Sequence, residues 1–320
     1  MTRLAFLGPR GTFTEQALLR LPEADGAEPL PSATTTSALA SVRTGEADAA
    51  CVPIENSVEG GVPAVLDSLV TDPPLVIRRE VQLAVRFALL VRPGTALADI
   101  RTVASHPHGE AQTRHWLAAN LPAATVLMSS STAEAAAQVS RGELDASVSA
   151  PVAASVHGLT VLADDIADSA AAVTRFVLVT RPGPPPPPTP PGDGLDRTTL
   201  AATTDNVPGA LLGVLTELAV RGIDLTRIES RPLKGRRDEY WFHLDGTGHV
   251  AQPAMGEALA ALHRRCRQVR YLGSYPRAAA PDGDRPGAAK PTGGVVNGSD
   301  AERFARAAAW LDGLRRGTRA

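Results

Sequence analysis

Short apolar runs and amphipathic stretches alternate along the first 180 residues of this 320-residue chain. Leu4 to Leu7 is an apolar run closed by a Pro-x-Gly turn, and the helical pattern after it ends near Leu21-Pro22. From Ala38, "ALASVRTGEADAACVPI" has apolar residues at helical spacing, then a glycine stop, an acidic turn and a short apolar strand. The pattern returns 97 positions later as "AAAQVSRGELDASVSAP", where Gly142, Glu143, Asp145 and Ala146 match Gly45, Glu46, Asp48 and Ala49. "TVASHPHG" likewise repeats "LAFLGPRG" at an offset of 98. Two similar α/β lobes in tandem are expected, and such lobes enclose a cleft with ligands at strand C-termini and helix N-termini. A last apolar run, Phe176 to Val179, is entered by Thr174 and Arg175.

The pattern breaks at "RPGPPPPPTPPGDGLD", residues 181–196, where consecutive prolines predict a semi-rigid extended linker. Beyond it, residues 197–277 read strand, helix, strand, strand, helix, strand, a ferredoxin-like βαββαβ unit. Pro208-Gly209 opens its first helix, and Lys234 to Asp238 makes its hairpin. Residues 278–300 are rich in Gly, Pro and Ala and are expected to be mobile, with an amphipathic helix over 301–316 after them. The expected organisation is thus a module of 1–180, a linker of 181–196, a small module of 197–277 and a tail of 278–320. Within the large module the lobes are placed at about 1–76 plus 165–180, and 77–164.

Composition narrows the class. Hydrophobic residues make up 43% and charged residues 21%, and the formal net charge is −2, which argues against nucleic acid as a partner. The two cysteines, Cys51 and Cys266, have no metal-ligand spacing, so a reducing cytoplasm is expected. No signal-peptide pattern opens the chain and no apolar run reaches membrane-span length, so no membrane association is expected.

Four stretches could carry chemistry. In "GPRGTFTEQAL", Thr12 or Thr14 caps a helix whose free amides suit a carboxylate or phosphate. In "VPIENSVEGGV", Glu55, Asn56 and Ser57 end a strand that faces the expected cleft. In "ASHPHGEAQ", Ser105 and Gln112 are better ligand candidates than a metal site of His106 and His108. Fourth, if 170–180 returns to the first lobe, Thr174 and Arg175 enter the cleft, and the Arg175 fork suits a substrate carboxylate. A salt bridge from Arg175 to Glu55 or Asp168 fits its position equally well. There is no Ser/His/Asp order and no dinucleotide fingerprint, so no cofactor and no metal are expected. The residues by themselves define an anion-binding cleft in an enzyme or a binding protein.

Six motifs in order carry a resemblance over residues 3–277. "GPRGTFTEQAL", "PIENSVEGGV", "SHPHGEAQ" and "TRFVLV" resemble the prephenate dehydratase domain, and "PGALLGVL" with "ESRP" is similar to phenylalanine-binding ACT regulatory domains. The resemblance implies a catalytic module with the two-lobed fold of periplasmic binding proteins. It implies conversion of prephenate to phenylpyruvate without a cofactor, regulated by L-phenylalanine, in a homodimer or homotetramer. It makes Thr174 the residue that expels the C4 hydroxyl, with Glu55 beside it in the catalytic set. Arg175, Phe176, Asn56, Ser105, Gln112 and Thr12 become substrate contacts. Gly209, Ala210, Leu211, Leu212, Glu229, Ser230, Arg231 and Pro232 become the phenylalanine site. The chain departs from the family at Ala171 and Ala172, where an asparagine is common, and at His108, where glutamine is common. An arogenate dehydratase and a non-catalytic two-lobed sensor are the alternatives.

Overall fold

A computed structural model describes residues 1–279 apart from 59, 169–171, 191–194, 234 and 237, together with 309–310 and 312–316. The described residues up to 279 belong to one compact unit. Most of 278–300 and of the expected helix over 301–316 lies outside the described residues, of which 309–310 and 312–315 are helical.

The first lobe contains β1 (Arg3–Leu7), α1 (Phe13–Leu18), β2 (Glu28–Ser32), α2 (Thr35–Thr44), β3 (Ala49–Asn56), β4 (Gly60–Gly61), α3 (Pro63–Leu69) and β5 (Val76–Val85). The second contains β6 (Ala88–Val91), β7 (Thr102–Ser105), α4 (Pro107–Asn120), β8 (Thr125–Met128), α5 (Thr132–Ser140), β9 (Ala146–Ser149), α6 (Val152–His157) and β10 (Thr160–Ala163). The chain then returns as β11 (Ala172–Thr180), which inserts between β3 and β5.

Both lobes follow one plan. The sheets run β2-β1-β3-β11-β5 and β8-β7-β9-β6-β10. In each, three parallel strands are followed by one antiparallel to them and then by a last strand that again runs with the first three. The 97-residue repeat therefore marks equivalent elements: α2 with α5, and β3 with β9. The lobe boundary differs from the expected 76–77. Because β5 pairs along its length with β11, the chain first crosses between lobes at 86–87.

The small module is β12 (Asp196–Thr203), α7 (Ala210–Ala219), β13 (Leu225–Pro232), β14 (Tyr240–Thr247), α8 (Pro253–Arg265) and β15 (Gln268–Pro276), with sheet order β13-β14-β12-β15. One sheet face covers α7 and α8 through Leu200, Ala202 and Leu244. The other is built into the first lobe. Ala201, Trp241, Leu272 and Tyr275 share a core with Val52, Ile54, Leu66, Val177 and Val179. At Gly273, φ is +132° and a Cβ would collide with the Ile77 carbonyl of β5, so only glycine lets β15 approach that closely. The linker is not free either, since the Pro184 and Pro186 carbonyls meet Arg78 and His249.

This junction contains a pH-sensitive group. His243 of β14 is fully buried, and neither ring nitrogen has a hydrogen-bond partner among the described residues. Burial, reinforced by Arg227 and Arg231 against Asp245 and Asp67, lowers its pKa to about 4. Protonation therefore favours the unfolded chain, where the ordinary value is about 6.5. Stability should be constant above pH 6.5 and fall as pH drops towards 4, by about 3 kcal/mol when complete. Urea unfolding at pH 7.5 and 4.5 checks this: His243→Leu should lose less stability than wild type, and an equal loss would disprove the assignment.

Candidate functional site

A cleft of about 420 Å³ lies between the lobes. Strand ends and helix starts from both repeats meet there, as the topology requires. Leu7 and Gly8 leave β1, and Thr12, Phe13 and Thr14 start α1. His106, His108, Gly109 and Gln112 start α4, and Ser130, Ser131 and Thr132 lead into α5. Ala33, Asn56, Val85, Phe87 and Thr174 complete the wall. Phe13 and Phe87 meet edge to face at 5.4 Å, giving one aromatic side to a cleft whose other lining mixes hydroxyls, amides and two histidines with Leu7, Ala33 and Val85.

At its floor, Asn56 Nδ2 donates to Thr174 Oγ1 at 2.8 Å. The amide orientation is fixed by chemistry. Val58 N–H can only donate, and it reaches Asn56 Oδ1 at 2.8 Å, so the NH₂ side faces the threonine. Thr174 Oγ1 thus accepts from Asn56, and its own proton is available for a group in the cleft. Ser57 pins the same corner. It accepts from Val173 N–H at Oγ and donates its own N–H to the Val173 carbonyl, both at 2.9 Å.

Thr12 lines the cleft, but its hydroxyl is engaged locally. It donates to the Leu7 carbonyl at 2.9 Å and accepts from Glu15 N–H at 3.3 Å, as the cap of α1. Gln112 lines the cleft as expected. His108 also lines it, with its ring stacked on His106 at 5.2 Å. Ala172 is buried in β11, and Ala171 lies outside the described residues.

Four expected residues are not brought to the cleft. Ser105 is buried below the start of α4. Its Oγ donates to the Val148 carbonyl at 3.1 Å and lies so close to Gly109 that a Cβ there would collide with it. Phe176 is in the core with Leu4, Phe6 and Leu83, beneath the cleft floor. Arg175 and Glu55 lie on the opposite face of the sheet, because side chains alternate along β11 and β3. Arg175 is 5% exposed and bonds Glu80 (2.7 Å), Asp245 (2.6 Å), Tyr275 (2.9 Å) and Glu55 (3.3 Å). The substrate-carboxylate role expected of it is corrected accordingly. Asp168 instead accepts from the His115 and Trp116 amides.

The residues expected to bind phenylalanine divide as well. Ala210 and Leu211 line a small cavity of about 100 Å³ with Asp205, Asn206, Tyr240 and Phe242, next to Gly209 at the cap of α7. Glu229 pairs with Arg227 of its own strand and lies against Gly61 of the first lobe, and Arg231 pairs with Asp67 of that lobe. Leu212, Ser230 and Pro232 are exposed.

Sequence reasoning missed Phe13, Phe87 and Ser130 to Thr132. The repeat contained a signal for Ser130, since Ala33, 97 residues earlier, also lines the cleft.

A family model for prephenate dehydratase matches residues 4–184. A curated prephenate dehydratase of Mycolicibacterium vanbaalenii is 50% identical over 330 residues, covering 99% of each chain. The crystal structure of prephenate dehydratase in complex with L-Phe from Arthrobacter aurescens has a TM-score of 0.79 and 42% identity, covering 98% of this chain and 100% of that one. A solved structure named as a novel type of quorum-quenching acylase is 33% identical with a TM-score of 0.76, covering 86% of this chain and 97% of that one.

Proposed function

We infer that this chain, which belongs to the prephenate dehydratase family, dehydrates and decarboxylates prephenate to phenylpyruvate in the interlobe cleft. The observation that carries the reading is Thr174, which lines the cleft with its hydroxyl oxygen held by Asn56. As the C1 carboxylate leaves as carbon dioxide, its bonding electrons aromatise the ring and expel the C4 hydroxyl. That hydroxyl takes up a proton and leaves as water. Thr174 donates to the departing oxygen, and Asn56 stabilises the charge this leaves on Thr174 Oγ1.

None of the described residues lining the cleft is Lys or Arg. The two substrate carboxylates are therefore assigned to neutral donors and the histidines. These are the amides in the first turns of α4 and α5, the hydroxyls of Thr14, Ser131 and Thr132, Gln112, and the pair His106 and His108. The Phe13–Phe87 corner takes the ring.

We assign the βαββαβ unit as an ACT-type regulatory module that binds L-phenylalanine beside Gly209 to Leu211. The L-Phe held by the Arthrobacter relative supports this. Val207, Leu212, Ile228 and Tyr240 are exposed on this module, and we assign that face to a second copy of the chain in a homodimer or homotetramer.

One assay tests the reading. Purified protein with prephenate should generate phenylpyruvate absorbance, and added L-phenylalanine should change the rate. An arm with arogenate reports side-chain selectivity. No turnover of prephenate would overturn the catalytic assignment, and a rate indifferent to phenylalanine would overturn the regulatory one.

A further inference from the structure

Arg175 follows Thr174 in the chain but points away from the cleft, into a buried cluster drawn from both modules. Its Nη1 donates to Asp245 Oδ2 at 2.6 Å, and its Nη2 to Tyr275 Oη at 2.9 Å. Thr199 Oγ1 donates to Asp245 Oδ1 at 2.7 Å, so the 2.6 Å contact between Tyr275 and Thr199 must take its proton from the tyrosine. A closed ring of hydrogen bonds results, running Arg175, Tyr275, Thr199, Asp245 and back to Arg175. Burial opposes the Arg175 charge, yet Asp245, Tyr275 and Glu80 hold it protonated. Burial also pushes the Tyr275 phenol up to about 12, which keeps it a proton donor at neutral pH.

Two features give this ring leverage on Thr174. First, the pairing of β11 with β3 slips between Arg175 and Phe176, a bulge opposite Pro53, which has no N–H to offer. On its β3 side the segment that aims Thr174 is thus held by side chains more than by a regular ladder, while on its β5 side the pairing runs unbroken from Ala172 to Leu178. Second, the ring continues outward. Asp245 also accepts from Arg227 at 3.0 Å, Arg227 reaches Glu229 at 3.1 Å, and Glu229 lies against Gly61 of β4. A buried ion cluster is no more stabilising than a well-packed apolar one. What it adds is directional constraint.

We propose that Asp245 is a positioning residue for the dehydration: through Arg175 it fixes the segment of β11 that presents Thr174 to the cleft. The proposal rests on the role assigned to Thr174 above. It places part of the catalytic scaffold about 60 residues beyond the end of the matched family model.

The test is a double-mutant cycle in the full chain, reading kcat, KM and melting temperature for wild type, Asp245→Asn, Thr174→Ala and the pair. Asp245→Asn should lower kcat by about 10- to 100-fold with KM within about twofold. On the Thr174→Ala background it should cost nothing further. Tyr275→Phe opens the ring without removing a charge. It should show the same non-additivity with a smaller loss, and it serves if Asp245→Asn does not fold. Losses that multiply across the cycle would overturn the proposal, as would a folded ring variant with unchanged kcat. A wild-type chain that leaves prephenate untouched would instead sink the catalytic reading on which the proposal stands.

Discussion

Thr174→Ala should lower kcat on prephenate by about 100- to 10,000-fold while leaving KM nearly unchanged. Thr174 lines the cleft floor, and its hydroxyl is the group assigned to the departing oxygen. Its loss removes a proton donor that is used as the C–O bond breaks, and ground-state binding makes little use of that donor. Alanine also removes the 2.8 Å bond from Asn56 Nδ2, but this amide lines the cleft floor, where water can replace the lost acceptor. Thr174→Ser retains the hydroxyl and should recover most of the rate. Steady-state kinetics on the three proteins decides the matter. If Thr174→Ala weakens binding as much as turnover, the hydroxyl is a binding group and its assigned role is wrong.

Deleting residues 185–320 should give a protein that does not fold cooperatively and has lost at least 100-fold in activity. A sequence with a proline linker suggests the opposite, a separable catalytic module freed from regulation. The packing argues against separation. Removal of the small module uncovers the Val177 and Val179 face of β11 and takes Trp241, Leu272 and Tyr275 out of a shared core. Each such side chain is worth about 1.5–3 kcal/mol in burial, against a typical total stability of about 5–15 kcal/mol. The deletion also removes Asp245 and Tyr275 from Arg175, and Arg197 from Glu80, which it meets at 2.6 Å. Unpaired buried charge adds further cost. Circular dichroism melts and the prephenate assay report the result. A cooperatively melting fragment with wild-type kcat would refute the argument.

The internal repeat makes the two lobes and the cleft legible in the order of amino acids alone, because one supersecondary unit written twice must fold twice in the same way. The cleft position of Asn56 and Thr174 is legible for a related reason: one closes a buried strand and the other lies near the start of one. The direction of Arg175 is not. Alternation reveals a strand's outward face only when one face is polar, and Phe176 to Val179 are buried on both sides. Nothing in that run says whether residue 174 or 175 looks into the cleft. Glu55 is ambiguous for the same reason, since β3 is also covered on both faces. The partners that settle Arg175, Asp245 and Tyr275, lie 70 and 100 residues away, in a module that the proline linker separates from it along the chain.

The insertion of β11 between β3 and β5 also orders the assembly of the chain. Every strand of the second lobe falls within residues 88–163, so its sheet can close as soon as that stretch has left the ribosome. The first lobe is made earlier but must wait, with β3 and β5 lacking the strand that joins them, until residues 172–180 arrive. The lobe that is begun first therefore completes its sheet second. During that interval its two open strand edges are the part of the nascent chain most exposed to mispairing.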